Sequence, residues 1–249
     1  PASATVDTVT HRFDAAGVPA EGNDGQVQAV LGPITSTIDY TGLEPIDDNT
    51  DANDRVFTFT AGSETITLTT PGAGGLDNQI GTTLGETVYF DNPNDSLTIN
   101  VDASGGTGPD TVNIEGLQAD FDAHLTVNGG SDDTVNFQTA ATDLGTGNLL
   151  VTAMTINVVG VAVSTGGAGT VELTAARNIG MTSGASITTV DGGITLRANQ
   201  GAPVADNFKG IDLAAAHVTS TNGDILLEGR GGNSAADGYL YGVSLRSGS

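Results

Sequence analysis

Two blocks in the C-terminal half of the chain, NIGMTSGASITTVDGGITLRA (178–198) and GIDLAAAHVTSTNGDILLEG (210–229), can be laid over each other. This internal repeat limits the possible folds more than any other feature. Ile179, Met181, Ile194 and Leu196 correspond to Ile211, Leu213, Ile225 and Leu227, at offsets of 32, 32, 31 and 31 residues. A third copy begins at GVSLRSGS, where Val243 and Leu245 follow Ile211 and Leu213 by 32 residues. Apolar residues hold alternate positions in short runs (I-G-M, I-T-L, I-D-L, I-L-L), separated by turns such as DGG and TNGD. Side chains two apart share one face of a strand, so the pattern is that of β-structure.

A short strand with one apolar face cannot bury it alone. Stacking copies about 4.8 Å apart buries all the faces against one another. The expected inward columns are Ile179/Ile211/Val243, Met181/Leu213/Leu245, Ile194/Ile225 and Leu196/Leu227, with Gly180, Asp212 and Ser244 facing water. The intervening ANQGAPVADNFK (198–209) and GRGGNSAADGYLY (229–241) lack the alternation and are expected to loop out at one corner of successive turns.

Composition agrees with an all-β chain. The 249 residues include 36 glycines and few helix-favouring Lys, Arg, Glu or Gln, and with 4% aromatics and no Trp the core must be built from thin aliphatic layers. There is no Cys, so stability rests on burial and backbone pairing. No run of about 18 apolar residues occurs, which excludes a transmembrane helix, and no membrane insertion is expected. The chain starts at Pro1 without a visible signal peptide and reads as a processed form or an excised piece.

The net charge of -23 is uneven: residues 1–150 hold 23 of the 30 acids and only Arg12 and Arg55, whereas 151–249 hold seven acids and five bases. Such a surface repels nucleic acid and anionic membrane and favours divalent cations.

Upstream, short strands recur without a clean period, among them VFTFT (56–60), TITLT (65–69), TVYF (87–90), LTINV (97–101), TVNI (111–114), LTVN (125–128), TVNF (134–137), LLVT (149–152), TINVVGVAV (155–163) and TVELTA (170–175). Such spacing suits several strands per turn of a coil, or a sandwich. The fold expected is therefore all-β, a parallel β-helix (β-solenoid), with β-sandwich domains as the alternative. Residues 1–55, including HRFDAAGVPAEGNDGQVQAVLG, are expected to form an irregular N-terminal segment or cap, and 56–249 the solenoid, with 31–32-residue repeats over 178–249.

The pairing of ITSTIDYTGLEPIDDNT (34–50) with the later GGTGPDTVNI and GGITLRA strands resembles the very large secreted β-strand-repeat proteins of bacteria, planctomycetes among them. The C-terminal units are similar to filamentous-haemagglutinin-type β-helices. The resemblance covers most of the chain. It implies an extracellular, cell-surface or matrix component with a right-handed parallel β-helix, and it brings no catalytic residue to carry over.

Calcium is the one cofactor with a residue pattern behind it. GGTGPDTVN (105–113) fits the nonapeptide G-G-x-G-x-D-x-U-x, in which glycine turns let carbonyls and a carboxylate converge on a hard cation. Asp110 would be the ligand and Val112 the buried residue. The nearest second copy, GGSDDTVNF (129–137), is one residue short and offers Asp132 and Asp133. In DDNTDAND (47–54), Asp47, Asn49, Asp51 and Asn53 alternate as in the first half of a calcium loop. Ala52 and Thr58 stand where an EF-hand needs Gly and Glu, which leaves a looser oxygen cage or a solvated acidic turn.

Catalysis on a β-helix would need paired carboxylates, or a base near calcium, and aromatic platforms for sugar rings. Arg177, Arg197, Lys209, Arg230 and Arg246 are scattered, and Asp212, Asp224 and Glu228 read as outward strand positions. His11, His124 and His217 lack zinc-site spacing. Tyr239 and Tyr241 could offer a small aromatic contact.

The expected function is that of an extracellular structural or adhesive solenoid segment, non-catalytic, in a large surface, matrix or filament protein. The alternative is a carbohydrate-binding or polysaccharide-cleaving β-helix. Expected partners are neighbouring repeats or copies of the same protein and surface polysaccharide, not nucleic acid. Because the sequence stops inside the third repeat, a further coil or subunit is expected to continue from that end.

Overall fold

The computed structural model describes residues 5–14, 24–42, 45–60, 62–71, 76–102, 108–202, 204, 206–234 and 240–247. Among them the chain is all-β, with 22 strands and no helix. β1 (Val6–Asp14), β2 (Asp24–Leu31) and β3 (Ile34–Thr41) pair antiparallel in sequence order. After β4 (Ile46–Asp48), β5 (Ala52–Phe59) returns parallel to β1. β6 (Thr65–Thr69), β7 (Asn78–Thr82) and β8 (Thr87–Phe90) form an antiparallel meander whose last strand lies parallel to β4.

From β9 (Ser96–Asn100) onward every pairing is parallel. The strands are β10 (Thr111–Ile114), β11 (His124–Asn128), β12 (Thr134–Phe137), β13 (Thr142–Asp143), β14 (Leu149–Val159), β15 (Ala162–Ser164), β16 (Val171–Thr182), β17 (Ser186–Thr189), β18 (Ile194–Ala198), β19 (Ile211–Ala214), β20 (His217–Ser220), β21 (Ile225–Gly229) and β22 (Val243–Arg246).

These pairings make three ladders. The first runs β1, β5, β9, β11, the first half of β14, the first half of β16, β18 and β21. The second runs β6, β10, β12, the second halves of β14 and β16, β19 and β22. β14 and β16 pass through both, so the two ladders belong to one open 18-stranded sheet, while β13, β15, β17 and β20 form a separate four-stranded sheet. Parallel pairing without intervening helices leaves each strand to bury its apolar face on the strands of the other ladders.

The register places the repeat columns together: Ile179 pairs with Ile211 and Ile211 with Val243, Met181 with Leu213 and Leu213 with Leu245, Ile194 with Ile225, and Leu196 with Leu227. Ile179, Met181, Ile194, Leu196 and Ile211 are fully buried. Ile225, Val243 and Leu245 occupy the last strand of their columns and are 43%, 36% and 71% exposed.

Upstream the period becomes visible only through pairing. Thr111, Thr134, Thr155 and Asn178 stand in line, 23, 21 and 23 residues apart. The later spacing of 32 arises where the corner between the first two ladders, only Ala176 and Arg177 in β16, expands to residues 199–210. The connection from β21 to β22 starts at the same corner one strand further on, where its first residues meet the preceding connection: Asn199 Nδ2 donates to the carbonyls of Arg230 and Gly231 at 3.2 and 3.0 Å.

The first 55 residues, expected as a less regular cap or β segment, contribute β1 to β4 and the start of β5. Their described part is strand-rich, and β1 belongs to the first ladder. Its alternation was hidden because the inward positions are Val9, His11 and Phe13, one of them polar. His11 is tolerated inside because its ring stacks on Phe57 at 5.1 Å and its Nε2 bonds Asp48 at 2.8 Å.

Candidate functional site

The corner between the first and second ladders also gathers acids. Thr65, Thr111 and Thr134 pair across β6, β10 and β12, so the residues before them, Glu64, Asp110 and Asp133, stack in one column. The backbone confirms this order: Thr111 N–H donates to the Glu64 carbonyl, Thr134 N–H to that of Asp110, and Met154 N–H to that of Asp133, at 2.9, 2.9 and 3.0 Å. All three acids are buried, Asp133 fully and Asp110 to 1% exposure. At the interstrand spacing and an effective dielectric constant of about 20, two unit charges repel by roughly 3 kcal/mol. A column of carboxylates therefore needs compensation.

Part of it comes from the backbone. Asp133 Oδ1 accepts from Asp110 N–H at 2.9 Å, Asp133 Oδ2 accepts from Gly130 N–H, and Asp110 Oδ1 accepts from Glu64 N–H. Glu64 Oε2 accepts from the Thr82 hydroxyl. Asp102, just beyond β9, completes the group, and one oxygen from each of Asp102, Asp110 and Asp133 lies within 4.8 Å of the others. Asp102 holds a left-handed backbone at φ 56°, a conformation that Asp tolerates better than most residues. Gly130 leaves room for it: a Cβ there would stand 2.8 Å from Asp102 Oδ2, 3.1 Å from Asp133 Oδ2 and 3.5 Å from Asp132 Oδ1.

Three buried oxygens of this corner, Glu64 Oε1, Asp102 Oδ1 and Asp110 Oδ2, meet no hydrogen-bond donor among the described residues. Burial, then the charges of Asp133 and Asp110, pushes the Asp102 carboxyl up to about 6. Burial also raises Asp110, with the charges of Asp133 and Asp132 adding to it, and it raises Glu64, where Asp110 and Asp102 add. Donors that are all carboxylate oxygen suit a hard divalent cation.

The structure thus gathers Asp110, Asp132 and Asp133 at one corner. Gly105, Gly106 and Thr107 of the nonapeptide lie outside the described residues. Asp102 and Glu64 carried no signal in any single motif. Aligning SLTINVD (96–102) with HLTVNGG (124–130) sets Asp102 opposite Gly130.

In the other acidic segment, Asp47 and Asn49 are exposed, and Asp51 accepts from the Thr5 hydroxyl at 2.7 Å and Asn94 Nδ2 at 2.8 Å. The buried acid there is Asp48, which binds His11 and Arg55. The remaining candidates are engaged or apart. Asp212 pairs with Lys209 and Arg246, Arg197 bridges Glu172 and Glu228, and Arg177 reaches Asp206 while lying 4.8 Å over Phe208. His124 Nδ1 accepts from Asn148 N–H, His217 is exposed, Tyr241 is half exposed, and Tyr239 lies outside the described residues.

Fold and site together define an all-β protein on a large, mostly parallel sheet with an acid-lined corner. No family model, curated protein or solved structure matches the chain.

Proposed function

We propose that this chain is a β-solenoid segment of an extracellular bacterial surface or matrix protein, a stiff structural or adhesive spacer without catalysis. The observation that carries the reading is the in-register stacking of three parallel ladders over inward aliphatic columns, a unit that can repeat indefinitely. The ion-paired state of Asp212, Glu228 and Arg197 supports a structural use of these charges. Neighbouring repeats, copies of the same protein and surface polysaccharide are the partners this role would engage.

Small-angle scattering on the purified chain tests the reading. A rod-like particle, with a maximum dimension well beyond that of a sphere of 249 residues, is expected. A compact globule would overturn it in favour of packed sandwich domains.

A further inference from the structure

We propose that Asp102, Asp110 and Asp133 bind one calcium ion, which fastens the β9–β10 connection to the turn before β12. Three observations point to a ligand here rather than to a merely acidic surface. Asp110 is 1% exposed, yet its Oδ2 has no donor among the described residues, and it belongs to the group whose oxygens converge within 4.8 Å. Asp102 Oδ1 is likewise buried and meets no donor among the described residues. Gly130 keeps clear the space that Asp102, Asp133 and Asp132 surround, since any Cβ would enter it.

Coordination geometry selects among cations. Calcium accepts carboxylates in a flexible arrangement, whereas magnesium demands a near-ideal octahedron and keeps several of its waters, so a buried group of three carboxylates suits calcium better. The backbone N–H groups on Asp133 and on Asp110 Oδ1 fix those carboxylates in place, so that Asp133, Asp110 Oδ2 and Asp102 converge on the ion. The arrangement differs from a tandem nonapeptide, because two of its ligands come from the β9–β10 connection and the third from the turn before β12. It holds whether or not the chain acts as a rod.

The competing arrangement is a proton shared between Asp102 and Asp110, which would relieve the same repulsion without metal. Calorimetric titration of the EDTA-stripped 249-residue chain with calcium chloride, beside magnesium chloride, separates the two. Saturable one-to-one calcium binding is expected, with a Tm that rises more in calcium than in magnesium. Asp102→Asn should weaken calcium binding at least tenfold while leaving Tm in EDTA unchanged or higher, since it removes a like charge and Asp102 Oδ1 accepts no hydrogen bond from the described residues. Asp110→Asn, which keeps an acceptor for Glu64 N–H, should weaken binding similarly, and the exposed Asp224→Asn should not. Absence of saturable calcium heat at millimolar concentration would overturn the proposal. So would binding retained within twofold in both Asp102→Asn and Asp110→Asn, or a calcium-independent stabilisation by Asp102→Asn in a chain that binds no calcium.

Discussion

Arg55 is wholly buried, and its guanidinium donates to Asp48, to the Thr50 carbonyl and, from Nε, to the Asp91 carbonyl at 2.9 Å. With that many acceptors satisfied, the charge serves the fold rather than a ligand. Burial alone would raise the Asp48 carboxyl, but the His11 hydrogen bond and the Arg55 charge hold it well below the usual carboxylate range. A depressed folded-state pKa contributes stability that is fully present above the unfolded value of about 4 and is lost as pH falls toward the folded one. Arg55→Met leaves Asp48 buried and without its cation, so it should cost roughly 3–5 kcal/mol at pH 7. The loss should shrink as pH is lowered through 4, which thermal melts at pH 7 and pH 3 would reveal. An equal loss at both would disprove the linkage. None of this was legible in DDNTDAND, where the alternation of Asp47, Asn49, Asp51 and Asn53 drew attention to the outward positions and passed over Asp48 on the inward face.

At the scale of the strand, the recurring T-x-N pattern has a second use beyond its buried middle residue. Asn136 Nδ2 donates to Asn113 Oδ1 at 3.0 Å, and Asn157 Nδ2 donates to Asn136 Oδ1 at 2.9 Å, so three outward amides form a continuous ladder across β10, β12 and β14. Asn128 and Asn100 repeat the bond at 2.8 Å on the first ladder. Asn136→Asp removes the central donor and sets oxygen against oxygen, a loss of about 1 kcal/mol, or about 2–4 °C in Tm for a chain this size. Asn136→Gln, with its extra methylene out of line, should fall similarly. No change in either melt would show that the amides bond to water instead. The alternation that defines these strands was readable from the sequence. The amide ladder was not, because it depends on which strands become neighbours.

At the scale of the molecule, stacked ladders give each strand neighbours only directly above and below, so damage should spread locally. Ile194 is buried in the column between Val171 and Ile225, whereas Thr195 points outward beside Glu172 and Leu226. Ile194→Asp places a carboxylate in that stack and should cost several kcal/mol, while Thr195→Asp should stay near neutral. Hydrogen exchange in Ile194→Asp should lose protection first in residues 211–246 and last in 111–158. Uniform loss would argue for one globally cooperative core instead.

Taken alone, the sequence determined the strand character, the aliphatic columns of residues 179–245 and the acidity of the corner turns, because β periodicity and turn chemistry act over a few neighbouring residues. Only the tertiary structure decided the 21–23-residue spacing upstream, the membership of β1 in the first ladder and the meeting of Asp102 with Asp110 and Asp133. Those depend on register between strands tens of residues apart, and register is set by the packing of whole faces rather than by any local stretch.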